Sequence, residues 1–183
     1  MPARIPLVAT TTPGIHDPVR LRMPRMDKLR ALLAAGPGRS HRPLDLAATA
    51  AFVVGGALVI WSAAVHFHLW SETDGYRSIP TIGPLFLLQS IAGLVIGIGV
   101  VVVRRLWAAV IGLGFALSTI AGFLLSVGVG LFGFKDSWLA PFAKESFAIE
   151  ILAAVVFIAA AALCLVGSVP HARAGSTPAG KAT

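Results

Sequence analysis

Charge is what this chain has least of. Only 13% of its 183 residues are Asp, Glu, Lys or Arg, against about 25% in an ordinary soluble domain. That shortfall excludes a soluble globule, a coiled coil and a disordered chain. Cysteine is almost absent too: Cys164 stands alone, so no disulfide scaffold exists, and a single thiol in an apolar run is a small packing residue. Acidic residues number eight, and Glu150 alone lies well within a hydrophobic stretch. No G-x-S-x-G elbow, H-E-x-x-H pair or phosphate-binding glycine loop between a strand and a helix occurs. These absences point away from an enzyme.

What fills the chain is apolar: 56% of residues, with a mean hydropathy of +0.83. Four stretches free of Asp, Glu, Lys and Arg run over Leu46–Ser71, Ser78–Val103, Leu106–Phe134 and Ile151–Ala172, with lengths of 26, 26, 29 and 22 residues. Each exceeds the ~20 residues a helix needs to cross a bilayer core. The expected fold is all-α, a polytopic membrane protein with four transmembrane helices in an up-down-up-down bundle. Helices are expected at about 46–70, 82–103, 106–133 and 146–169. They are flanked by a largely disordered basic leader (1–45) and a disordered tail (170–183). Asp45 is the expected N-cap of the first helix, Trp70 an interfacial aromatic, and Pro84 suits the first turn of the second.

The net charge of +7 is unevenly spread. Arg4, Arg20, Arg22, Arg25, Lys28, Arg30, Arg39, Arg42, Arg104, Arg105, Arg173 and Lys181 fall on one side of the bundle, and Arg77, Lys135 and Lys144 on the other. Cytoplasmic segments retain excess Lys and Arg, so both termini are expected in the cytoplasm of a plasma-membrane protein. Nucleic acid is not an expected partner, because the basic leader carries no Trp, Tyr or Phe for stacking. A cleaved signal peptide fits poorly, since the first run starts late and is too long; Met23 or Met26 as the true start stays open. Within the leader, Met26, Leu29 and Leu33 follow helical spacing beside Arg25, Lys28 and Arg30. An amphipathic helix over 24–33 on the anionic inner leaflet, or a solvated linker, both fit.

Gly114, Ser118, Gly122, Ser126 and Gly130 recur every fourth residue, forming a small-residue ridge on the third helix, and Gly93 and Gly97 give the second a shorter one. In lipid such ridges let helices approach closely, against each other or in a homo-oligomer or larger membrane complex. In the loop after the third run, Trp138 with Phe134 and Phe142 is expected to form an aromatic belt.

Polar groups within the runs gather near one end. His66, Gln89, Ser126 and Glu150 should lie about 6–10 Å below the surface opposite the basic side, with Tyr76 and Arg77 in the loop above. The candidate ligand-binding set is therefore His66, Gln89, Ser126, Glu150, Tyr76 and Arg77. Glu150 is expected to pair with His66 or to rest on the start of its own helix; Tyr76 and Arg77 either hold an anion or pair with Glu72, Asp74 or Asp136. A metal ion held by His66, His68 and Glu150 is a weaker option, because residues two apart on a helix diverge by about 200°. No cofactor is expected beyond such an ion.

The segments H-F-H-L-W (66–70), G-Y-R-S-I-P-T-I-G-P-L-F-L-L-Q (75–89) and G-L-F-G-F (130–134), with Ala140–Pro141 and Glu150, resemble a group of small four-helix membrane proteins of high-GC actinomycetes. The resemblance spans about 46–169. It implies a four-helix plasma-membrane protein and supplies no activity. Two functions stay open: an accessory or interaction protein packing through small-residue faces, and an outward-facing protein that binds or transports a metal, proton or small ligand through His66 and Glu150.

Overall fold

A computed structural model describes residues 24–37, 43–72 and 75–167. Of the leader expected to be largely disordered over 1–45, residues 24–37 and 43–45 are described and 24–33 and 43–45 are helical, while its remainder, the tail at 170–183 and Asp74 lie outside the described residues. Helix α1 (Pro24–Leu33) precedes four long helices, α2 (Pro43–Ser71), α3 (Ile82–Val103), α4 (Leu106–Gly128) and α5 (Ala143–Gly167), with a 3₁₀ turn at Tyr76–Ser78. The four long helices are apolar and long enough to span a membrane, and their alternating directions make an up-down-up-down bundle. This is a multi-pass membrane protein.

Three expected boundaries need correction. Helix α2 opens at Pro43, so Asp45 sits within its first turn rather than at its N-cap; proline at the first helical position loses no bond that the helix could have made. Helix α5 opens at Ala143, three residues before the expected start. Helix α4 ends at Gly128, not at residue 133. Beyond it Gly130 takes φ +90°, and Phe132 and Gly133 both have positive φ. Leu131 and Phe134 exchange backbone hydrogen bonds at 2.7 and 2.9 Å. Positive φ at both central residues is the sign pattern of a type I′ turn, so G-L-F-G-F closes a two-residue turn instead of continuing the helix. Gly130 therefore leaves the small-residue ridge.

Around the bundle the order is α3, α2, α5, α4. Helix α2 packs extensively on α3 and α5, and α4 on α5, whereas the α3–α4 seam is the loosest side. Close approach depends on glycine. A Cβ on Gly56 would meet the Gly97 carbonyl oxygen at 2.7 Å, and a Cβ on Gly97 would meet that of Gly56 at 2.9 Å. Gly93 lies similarly against Ala63 and Phe115. Phe157 of α5, fully buried, lies with its ring against Gly55 on one side and Gly112 on the other. Phe52, Val59, Ala109, Ala160 and Cys164 complete this core. It occupies the half of the bundle nearer the Arg104–Arg105 turn, called the basic end here; the opposite end carries the longer loops.

At the basic end α3 and α4 are joined by two residues, with Arg104 left-handed (φ 48°) and its amide bonded to the Val100 carbonyl. The chain after α1 is tied there. The Ala35 carbonyl accepts from the first amide of α4 (Leu106, 2.7 Å), and the Arg105 guanidinium donates to the Ala34 carbonyl (2.8 Å). The leader segment at 24–33 is thus a helix, and its Met26, Leu29, Leu32 and Leu33 side chains are exposed.

Candidate functional site

At the loop end the helices diverge around a cavity of about 510 Å³, lined mostly by apolar and aromatic side chains with a few polar groups. Cavities of roughly 300–1,000 Å³ with such a lining are the usual form of small-molecule sites. Five of the six side chains expected at a binding site border it: His66, Tyr76, Gln89, Ser126 and Glu150. Arg77 does not border it; it is exposed on the 3₁₀ turn and makes no ion pair with a described residue.

Glu150 lies about 10 Å into α5 at 1.5 Å per residue and is 3% exposed. Its partner is not His66. The hydroxyl of Ser62 on α2 donates to Oε1 at 3.0 Å, and that of Ser146, one turn earlier on α5, donates to the same oxygen at 3.1 Å. The other oxygen, Oε2, receives no hydrogen bond. Yet among the described residues no fully buried side-chain oxygen or nitrogen lacks a partner. Oε2 therefore keeps some accessible surface, and Glu150 borders the cavity, which leaves this oxygen without a protein partner among the described residues.

Ser62 also holds His66. The two are one helical turn apart on α2, and Nδ1 of His66 lies 2.8 Å from the Ser62 carbonyl oxygen. A carbonyl only accepts, so Nδ1 carries the hydrogen, and in the neutral ring Nε2 carries a lone pair. The imidazole packs on Phe86 with centroids 5.1 Å apart. One buried serine thus fixes both ionisable groups, its backbone oriented on the histidine and its hydroxyl on the carboxyl.

The remaining polar groups tie neighbouring elements together. The Gln89 amide on α3 donates to the Thr119 hydroxyl on α4, and Thr119 donates in turn to the Phe115 carbonyl. Ser126 satisfies its hydroxyl within α4, at the Phe123 carbonyl, while its own carbonyl accepts the Asp136 amide at 3.1 Å. Above them Tyr76 stacks on Phe86 (4.3 Å, 10°), meets Phe134 edge-on (5.7 Å), and directs its hydroxyl at the Asp136 carboxylate through long contacts of 3.4 and 3.5 Å. Burial pushes the Tyr76 phenol up to about 12, with the charge of Asp136 and the hydrogen bond to it adding in the same direction. Tyr76 thus belongs with Asp136 rather than with a free anion. The three loop aromatics also contact other rings: Phe134 rests on Tyr76, Phe142 on His68, and Trp138 edge-on against Phe123 and Phe147, while Trp138 and Phe142 stay partly exposed.

His68 turns away from His66 and pairs with Glu72 at 3.0 Å, half-exposed. Among the described residues no three His, Cys, Asp or Glu side chains come together as a metal site, so His66, His68 and Glu150 do not form the donor set that the sequence suggested. Of the small residues on α4, Gly114 and Gly122 have no atom of another helix within 4 Å of where a Cβ would stand. Ser118 bonds within its own helix, and Ser118, Gly122 and Ser126 border the cavity. The ridge packs no helix of this protomer at Gly114 or Gly122.

Ser62, Thr119 and the packing glycines Gly55, Gly56 and Gly112 are the residues that sequence reasoning missed. Ser62 carried one signal: it stands four residues before His66 in an otherwise apolar run, on the same helical face. No family model, curated protein or solved structure matches the chain. What the fold and the site define is a class: a four-helix polytopic membrane protein with a polar-bottomed cavity at its loop end.

Proposed function

We propose that this is a small-ligand-binding protein of the plasma membrane, with its loop end outward and both termini in the cytoplasm. The excess of Lys and Arg at the basic end supports that orientation. One observation carries the binding reading. Glu150 borders a 510 Å³ cavity and is fixed by two serine hydroxyls at one oxygen, while the other has no hydrogen bond from a described residue. An ionisable group placed within a membrane and left one open valence is a site in search of a partner, because its alternative of facing lipid is costly. His66 Nε2 offers a second acceptor nearby. A metal finds too few donors among these groups, so the small-ligand form of the reading is the better supported.

The test is native mass spectrometry of the protein released from native membranes, for wild type and Glu150→Gln. Glutamine keeps an oxygen for the two serines, so the fold should survive while the open oxygen is replaced by an amide. A small molecule bound to wild type and at least tenfold depleted in the variant is the expected result. Equal spectra carrying no adduct sink the reading. Fusing a reporter to each terminus checks the orientation.

A second reading has its own observation: the face of α4 around Gly114 is exposed, with nothing packed against it. Under that reading the chain is an accessory or interaction protein whose small-residue face packs on a second copy or a larger membrane complex. Gly114→Leu should then shift the assembly seen on blue-native gels, whereas an unchanged assembly removes it.

A further inference from the structure

We propose that the ligand is a membrane-dissolved amphiphile with a hydrogen-bond-donating head, an aliphatic or aromatic alcohol or amine, that enters the cavity sideways from the bilayer between α3 and α4. This rests on the ligand-binding reading above and adds the class of ligand and its route.

The route follows from which walls of the cavity are closed. Toward the loop end, Tyr76 is clamped between Phe86 and Phe134 and tied to Asp136, so aromatic rings and a loop lie over the opening to water. On the α2–α5 side, Phe142 meets the His68 ring edge-on at 5.4 Å. On the α3–α4 side no aromatic pair spans the seam among the described residues, and the one polar tie across it is Gln89 to Thr119. Leu85 (37% exposed) and Leu88 (61% exposed) on α3, and the exposed Ser118 on α4, border the cavity and face the surroundings at once. Pro141 and Phe142 at the loop end do both as well, but Leu85, Leu88 and Ser118 do so along one interhelical seam, which marks a lateral mouth. Across from them Gly122 presents no side chain and has no other helix within 4 Å of a Cβ position. The seam is also the least packed of the bundle. Leu88 lies about 9 Å below the start of α3, and Gly122 about 9 Å below the end of α4, so this mouth opens at hydrocarbon depth rather than in water.

The ligand class follows from what the mouth leads to. A water-soluble solute would have to leave water and cross lipid to reach this mouth, whereas a lipid-soluble one is already there. Inside, Phe86, Phe115 and Phe123 offer apolar and aromatic surface, suited to a hydrocarbon or ring body. At the far side stand two acceptors, Glu150 Oε2 and His66 Nε2, each oriented by Ser62 from its other atom. Two acceptors select a head that donates. The Gln89–Thr119 bond between α3 and α4 limits how far toward the basic end the seam opens.

Two photoreactive probes in nanodisc-embedded protein test this: hexadecanol carrying a diazirine on its chain, and diazirine-bearing butanol as the water-soluble counterpart. Labelling is read at the interior peptides containing Phe115 and Ser146. The variants change Leu88, an exposed side chain outside the packed core, so the bundle is retained. Hexadecanol should label the interior of wild type at least tenfold faster than butanol does at equal bulk concentration. Leu88→Trp should slow hexadecanol labelling about tenfold, and Leu88→Ala should speed it severalfold. Hexadecanol rates within twofold of wild type in both variants overturn the lateral route but leave the binding reading standing, since the interior is still occupied. Butanol labelling as fast as hexadecanol overturns the ligand class. Interior peptides unlabelled by either probe overturn this proposal and the binding reading together. Labels confined to the outer faces, with cross-linked dimers joined at Leu88, mean that a second copy covers the seam, and this too overturns the proposal.

Discussion

The two halves of this bundle solve different problems with the same residue types. At the basic end, glycine is a contact residue: Gly56 and Gly97 bring backbones together, and Gly55 and Gly112 make room for the Phe157 ring. At the loop end, glycine is a gap: Gly122 borders a cavity and touches no neighbouring helix. Phenylalanine divides in the same way, Phe52 and Phe157 being fully buried while Phe86 and Phe123 line open space. In a membrane, where apolar burial gives little net drive between helices, shape complementarity decides where helices adhere. The basic half has it and the loop half forgoes it. A rigid, closely packed base lets the other half stand open without the helices collapsing together.

The largest break in this contrast should come from Phe157. Phe157→Ala removes a fully buried ring held between two glycines that have no side chains with which to refill the space, and core Phe→Ala changes cost about 3–5 kcal/mol. Reversible unfolding in mixed detergent micelles measures it. A loss below about 1 kcal/mol would show that the basic half is not the rigid base. Next comes Gly56→Ala. Its Cβ would stand 2.7 Å from the Gly97 carbonyl oxygen and 2.4 Å from Val101 Cγ2; a backbone atom cannot rotate away, so the helices must separate, at about 1–3 kcal/mol. Gly122→Ala is its counterpart in the other half. It meets no atom and gains helix propensity of up to about 1 kcal/mol, so it should be neutral or stabilising. The same substitution with opposite signs in the two halves is the sharpest form of the comparison; equal losses would abolish it.

A smaller effect is expected at Ser62. Ser62→Ala leaves the fold packed and Ser146 still bound to Glu150, but removes the α2–α5 hydrogen bond. Interhelical hydrogen bonds in membranes are typically worth about 0.6 kcal/mol and at most about 1.7, so a loss of about 1 kcal/mol is expected. In the Glu150→Gln background the same change should cost nearly as much, because glutamine's carbonyl oxygen still accepts. If it costs nothing there, the serine serves the carboxylate's charge rather than its shape.

How much of this was legible in the sequence depended on whether one residue's own neighbours in the chain could decide it. The four spans are long apolar runs, and α3 begins and ends where charge and periodicity place it, while the helix at 24–33 is one of two readings that the leader's periodicity left open. The grouping of His66, Gln89, Ser126 and Glu150 around one cavity followed from depth counting alone, since antiparallel helices bring equal depths together, whereas Tyr76 could be placed only in the loop above. Partners could not be read that way. Depth says that Glu150 and His66 share a level, but rotation about each helix axis decides that Glu150 meets Ser62 and that His66 turns to its own backbone. Rotation also explains the glycines. The repeat on α4 is the more regular pattern, yet it is Gly112, outside that repeat, which faces Phe157, while Gly114 faces outward. The end of α4 was missed for a local reason: Gly130 and Gly133 extend the small-residue pattern but adopt positive φ, and a pattern of small side chains does not distinguish a packing ridge from a turn.

The finest probe of the comparison is at the roof. The chain contains a single tyrosine, so ultraviolet titration of phenolate reports Tyr76 alone. With the roof closed, its midpoint should lie near 12 rather than at the ordinary value of 10. Asp136→Asn removes the neighbouring negative charge and should bring the midpoint down part of the way, because burial, the larger cause, remains. The sign for stability follows from the raised value. Below about 10 the phenol is protonated in folded and unfolded chains alike, and the roof's contribution is intact. Between about 10 and 12 the unfolded chain releases the proton while the folded one retains it, so stability falls progressively with rising pH. Near neutral pH nothing should change. A midpoint at 10 in the wild-type protein would mean that water reaches Tyr76 freely, that the loop end is open from above, and that the α3–α4 seam loses its standing as the cavity's principal mouth.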